Sequence, residues 1–125
     1  MSNRIAIVGS RGYSNLEAVR RFVRSLPRDA IVISGGAPGV DRAAEREAKK
    51  LGLALIVYRA EWEKLGRGAG IIRNGTIVES CDRVVAFWDG ESRGTANTIA
   101  RARRLGKPVE IIQDERRVGP EVYLA

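Results

Sequence analysis

Five short apolar runs, separated by segments with helical periodicity, restrict the fold of this chain more than any other feature of its sequence. The runs are rich in valine and isoleucine, and they predict strands at residues 4–9, 30–34, 53–58, 83–88 and 108–112. Several of them are apolar almost throughout and do not alternate with polar residues. Such runs are typical of strands whose two faces are both covered, as in a parallel sheet.

The segments between the runs carry apolar residues at helical spacing. They predict helices at residues 14–26, 38–51, 69–80 and 95–105. The first begins with a capping-box pattern from Ser14 to Glu17, and Gly52 and Gly106 are suited to end the second and the last. The alternation predicts an α/β fold, a three-layer α/β/α Rossmann-like domain with a mainly parallel five-stranded sheet.

The chain has 125 residues, the size of one domain. We expect a single nucleotide-binding domain with its core at residues 4–112. The segment 113–125 is predicted to be a short extra strand, a docking tail or a disordered end. No apolar run approaches the ~18 residues that span a bilayer, and no signal-peptide cleavage pattern is present. We therefore expect a cytoplasmic protein with no membrane partner.

The chain contains no histidine and a single cysteine. The lack of histidine excludes a histidine base, a Ser-His or Cys-His pair and an imidazole metal ligand. One cysteine allows no internal disulfide, and no cysteine or histidine cluster exists to hold zinc. We therefore predict no metal site and no cofactor. Cys81, Trp62 and Trp88 are interpreted as packing residues, and neither tryptophan as a base-stacking platform.

The charge balance favours a phosphate-bearing partner. The chain has 22 basic and 15 acidic residues, which give a formal net charge of +7. A positive field attracts small nucleotides or nucleic acid. Arginine richness also arises from genome composition or a hot environment, so charge alone does not decide between these origins.

Glycine-rich segments follow the first, second and fourth predicted strands. They read GSRGY at residues 9–13, SGGAPGVD at 34–41 and DGESRGT at 89–95. The carboxyl ends of parallel strands meet at one edge of the sheet, where open α/β sheets bind ligands. Each segment leads into a helix N-terminus, whose N–H groups attract anions. The motifs of hydride-transferring dinucleotide enzymes and of P-loop NTPases are absent, which disfavours both classes.

The three loops and the pair Arg73-Asn74, which precedes the fourth strand, supply the candidate ligand-binding residues. These are Gly9, Ser10, Arg11, Tyr13, Ser34, Gly35, Gly36, Ala37, Gly39, Asp41, Arg73, Asn74, Asp89, Gly90, Ser92, Gly94 and Thr95. We expect the backbone at residues 35–36 and 94–95 to coordinate phosphate. For Arg73 and Asn74, a solvated surface pair is the alternative.

Side chains in these loops have distinct expected roles. Arg11 and Arg73 pair with ligand charge. Tyr13, in a glycine-rich loop, is the candidate for stacking on a base. Asp41 or Asp89 contacts a ribose hydroxyl. For Asp41, helix capping or a structural bond to a neighbouring loop is the alternative.

At these loops and at Arg73-Asn74, the sequence resembles the SLOG superfamily. This Rossmann-like group is named for the DNA-processing protein Smf/DprA and the cytokinin-activating phosphoribohydrolases. Within it, the chain is similar to the small single-domain YspA/YpsA-related branch, over residues 4–112. The resemblance implies a site, formed by the first, second and fourth loops, that holds a nucleotide or nucleotide-derived ligand. It also implies self-association into a homo-oligomer.

Phosphoribohydrolase members of the superfamily cleave the N-glycosidic bond of nucleoside 5′-monophosphates and carry a P-G-G-x-G-T-x-x-E motif. Gly94 and Thr95 match its Gly-Thr, but Thr98 stands at the position of its glutamate. The resemblance implies either a catalytic role or a phosphate-binding role for Arg73. If the chain turns over a nucleotide, the catalytic candidates are Arg73, Asp89 and Glu91, with Asp41 as a further carboxyl.

DprA-like members bind single-stranded DNA, and arginines on the predicted first and last helices suit either that role or a solvated face. They are Arg20, Arg21, Arg24, Arg101, Arg103 and Arg104. The sequence therefore leaves three hypotheses. The first, favoured by Thr98 and by the lack of histidine, is a ligand-binding or sensing module without turnover. The alternatives are a nucleoside 5′-monophosphate N-glycosidase and a single-stranded nucleic-acid binder.

Overall fold

The structure, a computed structural model, describes residues 3–114. Five strands form one all-parallel sheet in the order β3-β2-β1-β4-β5. The strands are β1 Arg4–Gly9, β2 Ile31–Ser34, β3 Ala54–Val57, β4 Arg83–Trp88 and β5 Val109–Gln113. The predicted Rossmann-like α/β architecture is confirmed, and each predicted strand differs from the observed one by at most one residue at either end.

Helices cover both faces of this sheet. They are α1 Leu16–Arg24, α2 Val40–Leu51, α3 Trp62–Leu65, α4 Ala69–Ser80 and α5 Arg93–Arg104, with a 3-10 turn at Gly66–Gly68. Helices α1 and α2 pack together on one face, and α4 and α5 pack together on the other. Helix α3 was not predicted, because four residues are too few to show a helical period.

The central strands are apolar on both sides because each side faces a helix pair. Successive side chains of a strand point to opposite faces of the sheet. Ile5 and Ile7 of β1 enter the core beneath α1 and α2, whereas Ala6 and Val8 enter the core beneath α4 and α5. None of the four is more than 6% exposed. The near-continuous apolar runs therefore arise because both faces of the strand are buried, as the sequence indicated.

Helix α1 begins later than its predicted capping box. The side chain of Asn15, not that of Ser14, caps the helix, and its oxygen accepts the N–H of Ala18 at 3.0 Å. The backbone N–H of Ser14 donates instead to Asp114 Oδ2 at 2.8 Å, just beyond β5. The far end of the described chain thus holds Ser14 outside the helix, and the capping-box prediction is wrong.

The predicted tail begins inside the sheet, because Gln113 is the last residue of β5. Residues 115–125, where the three interpretations of that tail fall, lie outside the described residues. Within residues 3–114, no helix has the length and apolar character needed to cross a membrane.

Candidate functional site

The strand order creates a cleft at the centre of the sheet. Strands β2 and β3 lie on one side of β1, and strands β4 and β5 lie on the other side. The loops after β1 and β4 therefore lead to helices on opposite faces, and a crevice opens between them at the carboxyl ends of the strands. A cavity of about 660 Å³ lies at this position.

The cleft brings together residues from all three glycine-rich loops and from α4. The predicted site residues that line it are Gly9, Arg11, Ala37, Asp41, Arg73, Asn74, Asp89, Ser92, Gly94 and Thr95. A smaller cavity of about 220 Å³ adjoins it over the loop after β2, where Gly35 and Gly36 line the wall. The two cavities share Arg11, Ala37, Trp62 and Arg73, so they form one continuous surface.

Asp89 shapes the loop that leads into α5. Its Oδ1 accepts the backbone N–H groups of Glu91 and Ser92, both at 2.8 Å. These two bonds hold the pKa of Asp89 below its usual value. The N–H of Asp89 donates to Ser10 Oγ at 3.1 Å, which ties the loop after β4 to the loop after β1. Asp89 therefore acts as an ionised acceptor that fixes the loop leading into α5.

The first turn of α5 presents an anion-binding geometry to the cleft. The first N–H groups of a helix have no partner within the helix, and the helix dipole makes this end positive. At Gly94 an added Cβ would meet no atom within 4 Å, so the backbone there is open to a ligand. Thr95 Oγ1 lies 3.3 Å from Ser92 Oγ at the same wall. This turn suits a phosphate group.

Arg73 of α4 lies at the boundary of the two cavities. Its Nη1 donates to the carbonyl oxygen of Gly35, and its Nε donates to Asn74 Oδ1 at 3.1 Å. Asn74 Nδ2 in turn donates to the carbonyl of Gly94 at 3.4 Å and to Asn97 Oδ1 at 3.3 Å. The guanidinium is therefore held by the glycine loop after β2 and by Asn74, which in turn reaches the start of α5.

Asp41 lies in the first turn of α2 and is only 5% exposed. Its Oδ2 accepts the N–H of Ala37 at 3.1 Å, a bond within the loop after β2. Burial raises the pKa of Asp41 to about 6, although the Ala37 bond and the charge of Arg73 oppose the shift. Glu45 adds to the shift. This bond shapes the loop that leads into α2 itself, so it is neither the helix cap nor the bond to a neighbouring loop that the sequence offered as alternatives.

The prediction that Tyr13 stacks on a ligand base is wrong. Tyr13 is 5% exposed, and its ring meets Phe87 edge-on at 5.6 Å between centroids. Its hydroxyl donates towards the carbonyls of Ile112 at 3.2 Å and Gln113 at 3.3 Å. The ring therefore fills the core between β4 and α1, because that position removes more apolar surface from water than a loop position would.

Several predicted residues serve the loops without lining either cavity. Ser34 Oγ donates to the buried carboxylate of Glu45 at 2.6 Å. Gly39 has a φ of 86° at the N-cap of α2, a conformation that favours glycine. Gly90 and Glu91 are exposed in the loop after β4. Together with Ser10, these residues support the site and do not face it.

The loop after β3 contributes residues that the sequence analysis missed. Trp62 lines both cavities and is 54% exposed, so the packing interpretation of this residue is wrong. Arg59 lines the smaller cavity, and Arg67 lines the larger one. Asn97, which belongs to α5, also lines the larger cavity and was not predicted. The carboxyl end of β3 lies at the same sheet edge as those of β1, β2 and β4. The topology of the predicted sheet was therefore sufficient to place residues 59–70 among the candidates for the ligand site.

The packing interpretation holds for the other two residues. Cys81 is buried in the core beneath α4 and α5. Trp88, half-buried, packs against the same core. Its Nε1 donates to the carbonyl of Ser92 at 3.0 Å, and the indole thereby supports the loop that begins α5.

Fold and site together define a Rossmann-like α/β domain with a cleft at the carboxyl ends of its parallel strands. The chain belongs to the YspA, cpYpsA-related SLOG family, whose profile matches residues 3–65. The Gene 61 protein of Mycobacterium phage D29 is 32% identical over 116 residues, which cover 85% of this chain and 93% of the phage protein.

Two solved structures share the fold. DNA processing protein A (DprA) from Streptococcus pneumoniae superposes with a TM-score of 0.77 at 22% identity, over 88% of this chain and 50% of the DprA chain. DNA processing protein A from Helicobacter pylori, described for its single-stranded DNA binding mode, gives a TM-score of 0.63 at 19% identity. That match covers 92% of this chain and 66% of the other. The chain thus spans about half to two thirds of these structures.

Proposed function

We propose that this protein binds a nucleotide or nucleotide-derived ligand in the cleft at the centre of the sheet, as a binding or sensing module. The observation that carries the proposal is the placement of Arg73. Its guanidinium is held by Gly35 and Asn74 in the same cavity that receives the first turn of α5. A fixed cation facing a helix N-terminus is an arrangement that recognises phosphate.

The charge of the cleft supports an anionic ligand. Besides Arg73, three arginines line the larger cavity: Arg11, Arg67 and Arg93. Its carboxyl groups belong to Asp89, which already accepts two backbone N–H bonds, and to the buried Asp41. The excess of positive charge raises the local concentration of phosphate-bearing molecules and strengthens their binding.

The residues at the cleft favour binding without turnover. Thr98, at the position of the phosphoribohydrolase glutamate, is 2% exposed, and its hydroxyl donates to the carbonyl of Gly94 at 3.2 Å. Asp89 has a lowered pKa, so it is a poor proton donor. Glu91 lies outside both cavities. Both carboxyl groups of the larger cavity are engaged in bonds that shape their loops: Asp89 accepts two backbone N–H groups, and the buried Asp41 accepts the N–H of Ala37. This arrangement disfavours the use of either group in N-glycosidase chemistry.

The proposal is tested first at Gly94. In Gly94→Asp, a carboxylate enters the space where we place the phosphate, and we expect the affinity for nucleoside 5′-monophosphates to fall at least about tenfold. An aspartate in the first turn also favours the helix, so the domain should remain folded. Isothermal titration calorimetry with the four common nucleoside 5′-monophosphates measures the change.

The matched control is Gly94→Asn, which adds the same bulk without charge and is expected to bind more tightly than the aspartate variant. Equal affinity of both variants and the wild type would remove this turn from the site. Chromatography of the same mixtures after long incubation is expected to show no free base. Release of base by the wild type would make the protein an N-glycosidase and overturn binding without turnover.

Single-stranded nucleic acid is a second candidate ligand, favoured by the exposed arginines around the open cleft. Arg11, Arg59, Arg67 and Arg93 are exposed there. Of the helix arginines considered from sequence, Arg20 and Arg24 instead pair with Glu17 on α1 at 3.0 and 2.6 Å. A strand bound by the cleft arginines would follow the cleft, in the way that single strands follow a basic groove with stacking surfaces.

Salt dependence separates the two candidates. A strand contacting three cleft arginines is expected to lose affinity about 18-fold between about 50 and about 200 mM salt, since the logarithmic slope is near −0.7 per phosphate neutralised. Fluorescence anisotropy with a labelled oligonucleotide of about 12 nucleotides measures it. The double variant Arg59→Ala, Arg67→Ala should flatten the slope, whereas Arg103→Ala, on exposed α5 surface, should not. An oligonucleotide that does not bind at low salt would exclude this candidate.

A further inference from the structure

We propose that Trp62 is the base-stacking residue of this site, so that the ligand carries an aromatic base whose face lies on the exposed indole. The inference rests on the proposed function and adds the recognition of the base to that of the phosphate. No other aromatic side chain of residues 3–114 lines either cavity. Tyr13, the aromatic residue nearest in sequence to a glycine loop of the cleft, is buried in the core.

The position of Trp62 suits a stacking surface. It opens the short helix α3 and is 54% exposed, yet it lines both the larger and the smaller cavity. The edge of the indole lies over Gly70, where an added Cβ would be 3.2 Å from Trp62 Cη2. The glycine thus lets the ring lie close to α4. One edge of the indole is supported, and much of its surface remains open to a ligand.

The two walls of the cleft differ in polarity in the way that the two ends of a nucleotide differ. Trp62, Gly70 and the half-exposed Ile71 form an apolar wall from α3 and α4. Gly94 and Thr95 form a polar wall at the start of α5. A base presents a flat apolar face, and its phosphate presents a concentrated negative charge. A ligand with both ends satisfies both walls at once.

Exposed tryptophan surface also gives a physical reason for binding. An indole that is half in water gains free energy when an aromatic ring covers it. Stacking on an aromatic side chain commonly changes affinity by tenfold or more when the side chain is removed. Arg73, which lines both cavities beside Trp62, provides the charge that sets the direction of the ligand.

The test compares probes with and without a base. Wild type, Trp62→Ala and Trp62→Phe are titrated with the four common nucleoside 5′-monophosphates and with ribose 5-phosphate. We expect Trp62→Ala to weaken the tightest nucleotide about tenfold and Trp62→Phe to weaken it by about threefold or less. The affinity for ribose 5-phosphate should stay within about twofold in both. Because Trp62 lies outside both buried cores, the melting temperature should fall by only a few degrees at most.

Fluorescence provides a second readout, since the chain has two tryptophans. Nucleotide should quench the wild-type emission, and the quenching should disappear in Trp62→Phe, where Trp88 remains. Unchanged nucleotide affinity in Trp62→Ala would overturn the stacking role and leave the proposed function standing. An equal loss for nucleotide and ribose 5-phosphate would also overturn it, because Trp62 would then act on the phosphate site. If neither probe binds the wild type, both proposals fail.

Discussion

The variant Gly9→Ala is expected to lose about 3 kcal/mol of unfolding free energy, which lowers the melting temperature by about 10 °C. Gly9 ends β1 at the floor of the cleft. A Cβ there would lie 2.5 Å from the carbonyl oxygen of Phe87 and 2.6 Å from Val40 Cγ2. The carbonyl belongs to β4, the strand beside β1, and accepts the N–H of Ser10 at 3.0 Å, so it cannot move aside without breaking that bond. Urea denaturation followed by circular dichroism measures the change.

Gly12→Ala is the matched control in the same loop. An added Cβ at Gly12 would meet no atom within 4 Å, so we expect a change of about 0.5 kcal/mol or less. If both variants were as stable as the wild type, the surroundings of Gly9 would accommodate a Cβ without cost. The glycine at this position would then be needed only for the approach of a ligand. The expected contrast instead assigns Gly9 a packing role in addition to its place in the cleft.

The architecture was predictable because its physical causes are local in the sequence. Residues 5 to 8 are apolar on both faces, which is the pattern of a strand between two helix layers. In a parallel sheet all carboxyl ends share one edge, so the meeting of the loops at 9–13, 34–41 and 89–95 followed from strand order alone. The three loops supply half of the residues that line the larger cavity.

The burial of Tyr13 and the exposure of Trp62 were both predicted wrongly, because no local pattern in the sequence reveals either of them. Tyr13 lies in a glycine-rich loop, yet its hydroxyl reaches Ile112 and Gln113, about a hundred residues along the chain. Trp62 follows an apolar strand, yet it begins a helix of four residues that leaves it exposed. Which aromatic side chain is buried depends on contacts between distant segments, and periodicity carries no information about them.

The roles of the polar loop residues were also set by tertiary contacts. Ser34 faces the buried carboxylate of Glu45, and Ser10 accepts a bond from Asp89, so both stabilise loops. In the sequence alone, a serine beside a glycine is equally consistent with a residue that donates a hydrogen bond to a phosphate. Their bonding partners lie 11 and 79 residues away, a separation at which a single sequence gives no register between segments.

The variant Asp41→Asn is expected to raise the unfolding free energy at pH 7 by about 2 to 3 kcal/mol. Burial raises the pKa of Asp41 from its ordinary 3.8 to about 6, so the charged form is disfavoured in the folded protein. Asparagine removes the charge and keeps a side-chain oxygen that can accept the Ala37 N–H. Urea denaturation of both proteins at pH 7 measures the difference.

The pH dependence of this difference identifies its origin. Between about pH 4 and pH 6 the folded wild type binds more protons at Asp41 than the unfolded chain does, because its folded pKa is the higher one. The wild type therefore loses stability as the pH rises through this window, and the loss is complete above it. The asparagine variant lacks this loss, so the two proteins should converge near pH 4 and diverge towards pH 7.

The charged carboxylate of Asp41 destabilises the fold at pH 7, so we expect it to have a role in the site. Asp41 lies beside Arg73, whose charge lowers its pKa, and both line the larger cavity. We therefore expect Asp41→Asn to be more stable but to leave Arg73 less firmly placed, with weaker nucleotide binding as the consequence. A variant less stable than the wild type at pH 7 would contradict this account, since attraction to Arg73 would then exceed the desolvation of the carboxylate.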